Sequence, residues 1–197
     1  RLLSMDCRAH GETRPTGPEE RIGFAPFADD GIALMDHRRV ERAVVGGISM
    51  GAAVALDLAL RYPGRVLALV LQRPAWLDQP MPDHLRVLVS IGERIRDHGA
   101  RRGKEVYEAS PEYSALARES PDVAASTLGQ FDHPRAEETV VKLLRIPRDT
   151  PCRDRAWTLL KVPTLVLANR MDPVHPFEYG EILAREIPGA EFCEVTP

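Results

Sequence analysis

Three stretches of the chain are apolar without alternation: Ala43-Val44-Val45-Gly46, Val66-Leu67-Ala68-Leu69-Val70-Leu71 and Val162-Pro163-Thr164-Leu165-Val166-Leu167. A strand with one wet face alternates between apolar and polar residues, so runs this continuous predict parallel strands covered on both faces. Between the first two, Met50 to Tyr62 is rich in Ala and Leu and closes on Pro63-Gly64, which predicts a helix with a stop signal and hence a strand-helix-strand unit. A second helix is predicted from Pro176 to Ile187, before Pro188-Gly189, and a fourth, shorter strand over Glu191 to Val195. Ala28 to Arg38 has helical spacing, with Ile32, Leu34 and Met35 as its apolar positions, and Arg1 to Met5 reads as a short strand. The fold class is therefore α/β, with a mostly parallel sheet.

The stretch from about Pro74 to Trp157 carries no strong strand run and several amphipathic helical patterns, so it reads as a helical insertion. That divides the chain into a core of residues 1–73 and 158–197 and an inserted segment of residues 74–157. Five aromatic residues fall in the insertion, Trp76, Tyr107, Tyr113, Phe131 and Trp157. They either fill its core or line a pocket wall facing the strand ends.

Composition excludes several classes. Lys plus Arg is 26 against 29 for Asp plus Glu, a net charge of −3 with no basic excess, so nucleic acid is not an expected partner. The longest apolar run, Val66 to Leu71, is far short of the roughly 18 residues a membrane span needs. Cys7, Cys152 and Cys193 are odd in number and form no CxxC pair, which suggests neither a disulfide framework nor a metal site and fits a reducing cytoplasm. The sequence leaves the oligomeric state open.

Chemistry concentrates at Gly47-Ile48-Ser49-Met50-Gly51, a G-x-S-x-G sequence set between a predicted strand and a predicted helix. A serine on so tight a turn is forced into strained backbone that lifts its hydroxyl clear of the sheet, and small residues at Gly47 and Gly51 relieve the crowding. The N–H of Met50, at the start of the helix, is placed to face a developing oxyanion. The competing interpretation is a serine that only caps a helix.

These residues resemble the nucleophile elbow of the α/β-hydrolase superfamily, and the resemblance runs along nearly the whole chain. Asp6-Cys7-Arg8-Ala9-His10-Gly11-Glu12-Thr13 is similar to the family's Asp-x-Arg-Gly-His-Gly-x-Ser loop after the fourth strand, with Ala9 and Thr13 departing from the usual Gly and Ser. Pro74 to Trp157 resembles a helical cap, and Val162 to Asp172 the seventh strand and its acid-bearing loop. The general style is that of carboxylesterases and 3-oxoadipate enol-lactonases. The resemblance implies Ser49 as nucleophile, Asp172 as the acid that orients a histidine base, Met50 as an oxyanion donor, and no metal or organic cofactor. The implied activity is hydrolysis of a small ester or lactone, a small-molecule acyl substrate, through an acyl-enzyme. A serine in the elbow argues against haloalkane dehalogenase and epoxide hydrolase chemistry, while thioester or C–C hydrolysis fits the same residues.

The family places its base beyond the eighth strand, and of the six histidines only His175 follows Asp172, three residues along the same loop. A ring there would have to fold back. The base is therefore expected beyond Pro197, and the first three strands ahead of Arg1, so that these residues are an internal stretch of a longer hydrolase and inactive by themselves. The family's third strand lies between its fourth and fifth, so its absence is expected to leave unpaired backbone edges in the middle of the sheet, which invites aggregation or mispairing. The alternative is a non-catalytic ligand-binding relative that keeps the fold and has lost turnover.

Overall fold

The computed structural model describes residues 2–196. Four parallel strands form one sheet in the order β1-β2-β3-β4: β1 (Ala43–Ile48), β2 (Val66–Gln72), β3 (Thr164–Ala168) and β4 (Glu191–Glu194). Parallel neighbours need a crossover between them. Helix α2 (Met50–Arg61) joins β1 to β2, and α7 (Phe177–Glu186) joins β3 to β4. Between β2 and β3 run α3 (Arg86–Glu108), α4 (Pro111–Glu119), α5 (Pro121–Asp132) and α6 (Val141–Arg145), while α1 (Phe24–His37) precedes β1.

Helix α2 explains its own composition. Ala52, Ala55 and Ala59 are buried against the sheet together with Leu56 and Leu58, and their small side chains let the helix lie close to Leu69 and Leu71 of β2. Each large apolar side chain fully buried here contributes about 1.5–3 kcal/mol. Trp157 is also in this cluster, so its ring packs with the sheet core, and Trp76 packs edge-on to Phe24 beside Ala53. Tyr107, Phe131 and Tyr113 form a separate apolar centre among the inserted helices.

Three expectations from sequence need correction. Residues 2–5 form no strand, and Arg1 lies outside the described residues. An extended segment becomes a strand only when its N–H and C=O groups meet a neighbour's, and here a groove of about 750 Å³ separates residues 2–5 from β1. The free edge of β1 leaves Val44 61% and Ile48 54% exposed, so continuous apolar sequence did not mean burial on both faces at this strand. Helix α1 begins at Phe24, four residues before the expected Ala28. Its start is fixed from far along the chain, where Asp149 Oδ2 accepts the Phe24 N–H at 2.8 Å. Among the described residues, no helix is long and apolar enough to cross a membrane.

Candidate active site

Ser49 follows the last residue of β1 and has φ 54 and ψ −114, a left-handed conformation that a residue with a side chain rarely adopts. Its N–H donates to the Gln72 carbonyl at 3.0 Å, and its own carbonyl accepts from Ala52 at 3.0 Å and Ala53 at 3.2 Å. The chain thus passes from sheet to helix within one residue. Gly47 permits the turn, because a Cβ there would lie 2.4 Å from the Gly51 carbonyl carbon. A Cβ on Gly51 would meet nothing within 4 Å, so this position gives up backbone room to Gly47 and needs none for itself. Met50 opens α2, and N–H groups in a helix's first turn have no intrahelical acceptor.

Asp172 lies four residues beyond β3, with a side chain only 2% exposed. Its Oδ1 accepts the backbone N–H groups of Val174 and His175, each at 3.2 Å. Its Oδ2 accepts from the Arg73 guanidinium and from His175 Nδ1, the latter at 2.9 Å. A carboxylate so placed can only accept, so the His175 proton sits on Nδ1. Burial pushes the Asp172 carboxyl up, but the hydrogen bond and charge of His175, then those of Arg73, outweigh it and hold it down at about 2. The side chain does not cap α7, whose N-cap is Pro176.

The remaining histidines are placed otherwise. His10 Nδ1 lies 2.9 Å from the Arg8 carbonyl with its ring edge-on to Phe27, and His84 Nε2 lies 2.9 Å from the Ala75 carbonyl with its ring edge-on to Tyr179. Burial lowers the pKa of both, which disfavours their charged forms. His133 Nδ1 accepts from the Arg135 N–H, and His37 and His98 are exposed. The ring of His175 does fold back onto Asp172. Among the described residues, however, no hydrogen bond joins the Ser49 hydroxyl to a histidine.

A cavity of about 310 Å³ opens where the strands end. Arg73, Asp172 and His175 line one side, and Ser126, Thr127 and Gln130 of α5 line the other. The five aromatic residues of the insertion are not in its wall. Arg73, which sequence reasoning passed over, sits directly after β2 at φ 48, the second strained residue at this edge of the sheet. A charged residue ending a buried apolar run was its only local signal.

An elbow serine, a buried acid two strands away and a parallel sheet define an α/β hydrolase, and the comparisons agree. The sequence profile of the α/β hydrolase fold matches residues 1–197, and the chain belongs to that family. It is 26% identical to the AB hydrolase superfamily protein YisY of Bacillus subtilis, over 97% of this chain and 71% of that one. It is 31% identical to a 2-hydroxy-6-oxononadienedioate/2-hydroxy-6-oxononatrienedioate hydrolase of Paraburkholderia phymatum, over 98% of this chain and 67% of the relative. The crystal structure of the enol-lactonase from Burkholderia xenovorans superposes with a TM-score of 0.67 at 27% identity, covering 96% of this chain and 70% of the other.

Proposed function

We propose that this chain carries the nucleophile and the acid of a serine hydrolase that cleaves a small ester or lactone through an acyl-enzyme. The observation that carries the reading is Ser49 held at φ 54 on the turn from β1 into α2, at the same end of the sheet as the buried, ionised Asp172. Strain of this kind persists where function needs the geometry it creates.

An imidazole takes the proton from Ser49 Oγ as that oxygen bonds to the substrate's carbonyl carbon, and the carbonyl electron pair moves onto oxygen. The Met50 N–H donates to that oxyanion, helped by the positive end of α2. Collapse of the tetrahedral species breaks the bond to the alcohol, which leaves with the imidazolium proton. Water then attacks the acyl-enzyme, giving its proton to the imidazole, and Ser49 departs with that proton. These steps need no metal or organic cofactor. Asp172 holds the base in the right tautomer, and we assign the base to a histidine beyond Pro197 that takes over Oδ2. The bond of His175 to that same oxygen favours a second assignment, His175 itself as base.

Residues 74–157 serve in this reading as a cap, with α5 lining the cavity beside Asp172 and His175. The name of the Burkholderia enol-lactonase supports a lactone as substrate, while the Paraburkholderia relative is named a hydrolase of 2-hydroxy-6-oxononadienedioate. The test is turnover of p-nitrophenyl acetate and of a small lactone by the gene's full product, with Ser49→Ala beside it. The reading expects at least a thousandfold loss in kcat/KM for the variant. Equal rates in both proteins would refute it.

A further inference from the structure

We propose that Arg73 is the positioning residue of the acid: its guanidinium fixes the Asp172 carboxylate and lends a positive charge to the seat of the catalytic imidazole. The inference rests on the reading of Ser49 and Asp172 as nucleophile and acid.

Sheet register carries the argument. Ile48 pairs with Gln72, and Gln72 pairs with Leu167. One residue further on, the Ser49 N–H donates to the Gln72 carbonyl at 3.0 Å and the Arg73 N–H to the Leu167 carbonyl at 2.7 Å. Arg73 therefore stands at the end of the middle strand, between β1, which delivers Ser49, and β3, which delivers Asp172. Neighbouring strands lie about 4.8 Å apart, so an imidazole that joins the serine to the acid must pass over β2 and beside Arg73.

The side chain is placed for that role. Arg73 Nη2 donates to Asp172 Oδ2, on the oxygen the base would use, and lies 3.4 Å from His175 Nδ1. Its Nε is buried without a hydrogen-bond partner. With 36% of the side chain exposed, the guanidinium has water within reach and is nonetheless turned to a carboxylate that is 2% exposed. The backbone beneath it is left-handed at φ 48, a conformation that surroundings must impose on an arginine. The other titratable groups around Asp172 are His175 on its own loop, His84 from the turn before α3, and Asp122 from α5 across the cavity.

A fixed positive charge disfavours a second one beside it, so the guanidinium keeps the base unprotonated to lower pH. Without it the imidazolium is easier to form, and the acid limb of kcat/KM moves up. The experiment measures p-nitrophenyl acetate hydrolysis by the gene's full product from pH 5 to 9, for the parent protein and for Arg73→Gly, Arg73→Lys and Asp172→Asn. Glycine adopts φ 48 without strain, so the first variant removes the guanidinium while keeping the turn. Arg73→Gln gives the same readout should the glycine variant unfold.

The inference expects an acid limb raised by about one pH unit in Arg73→Gly, about a tenfold loss of kcat/KM at the foot of that limb, and return of the limb in Arg73→Lys. An acid limb that stays in place in folded Arg73→Gly or Arg73→Gln, with Asp172→Asn at least a hundredfold impaired, overturns the role of Arg73 and leaves the acid standing. Full activity in Asp172→Asn removes the acid assignment, and the inference falls with it.

Discussion

The imidazole of His175 lies against Asp172, its Nδ1 2.9 Å from Oδ2, although only two residues of one loop separate the two. The backbone N–H of His175 also reaches Oδ1 at 3.2 Å, so the loop curls around the carboxylate and closes on it. If the base comes from elsewhere, His175 is a placeholder on the acid. His175→Ala then keeps kcat/KM within about tenfold of the parent, since one of the four hydrogen bonds to Asp172 is lost. A loss of a thousandfold or more in steady-state hydrolysis would make His175 the base.

Gly47 and Gly51 differ in what they require. A Cβ on Gly47 would stand 2.4 Å from the Gly51 carbonyl carbon, and backbone at both ends of the turn has nowhere to move. Gly47→Ala is expected to lower stability by about 1–3 kcal/mol and to abolish labelling of Ser49. Gly51→Ala adds a methyl group in open space within a helix and is expected to be neutral or slightly stabilising. Urea unfolding of the two variants separates them.

Asp57 lies on α2, 7% exposed, with Arg61 Nη1 at 3.4 Å and the carboxylates of Asp149 and Asp29 near enough to repel it. Burial above all pushes its carboxyl up to about 6, despite Arg61. The folded state thus holds this proton more tightly than the unfolded chain does. The group's contribution to stability is fully present below the unfolded value near 4 and is lost as pH rises through about 6. Asp57→Asn is expected to raise the thermal midpoint at pH 7.5 and to change it little at pH 4. A variant that lowers the midpoint at pH 7.5 as well would show that the charge on Arg61 needs its partner.

The sheet and the elbow were legible in the sequence because their determinants are local. Continuous apolar runs mark β1, β2 and β3, and glycines flank the serine at fixed spacing. The start of α1 was not, because its cap is Asp149, 125 residues away. Residues 2–5 looked like a strand by composition, yet pairing depends on a neighbour that composition does not report. The proposed acid, Asp172, stands out in the sequence by its place after an apolar run, whereas Arg73 does not. Its role follows from the order β1-β2-β3, which sets it between serine and acid, and strand order is a property of the folded sheet. Ala9 shows the reverse case: it departs from the family's glycine in sequence, and it takes φ 60, where glycine would be unstrained.

The most direct measurement is mass spectrometry of the gene's full product after treatment with a fluorophosphonate, which reacts with an activated serine hydroxyl. The account expects one adduct, on the peptide that contains Ser49, suppressed by Asp172→Asn and absent in Ser49→Ala. A folded, full-length protein with no adduct, or with an adduct at another residue, would contradict the assignment of Ser49 as the nucleophile and leave a ligand-binding relative of the hydrolases in its place.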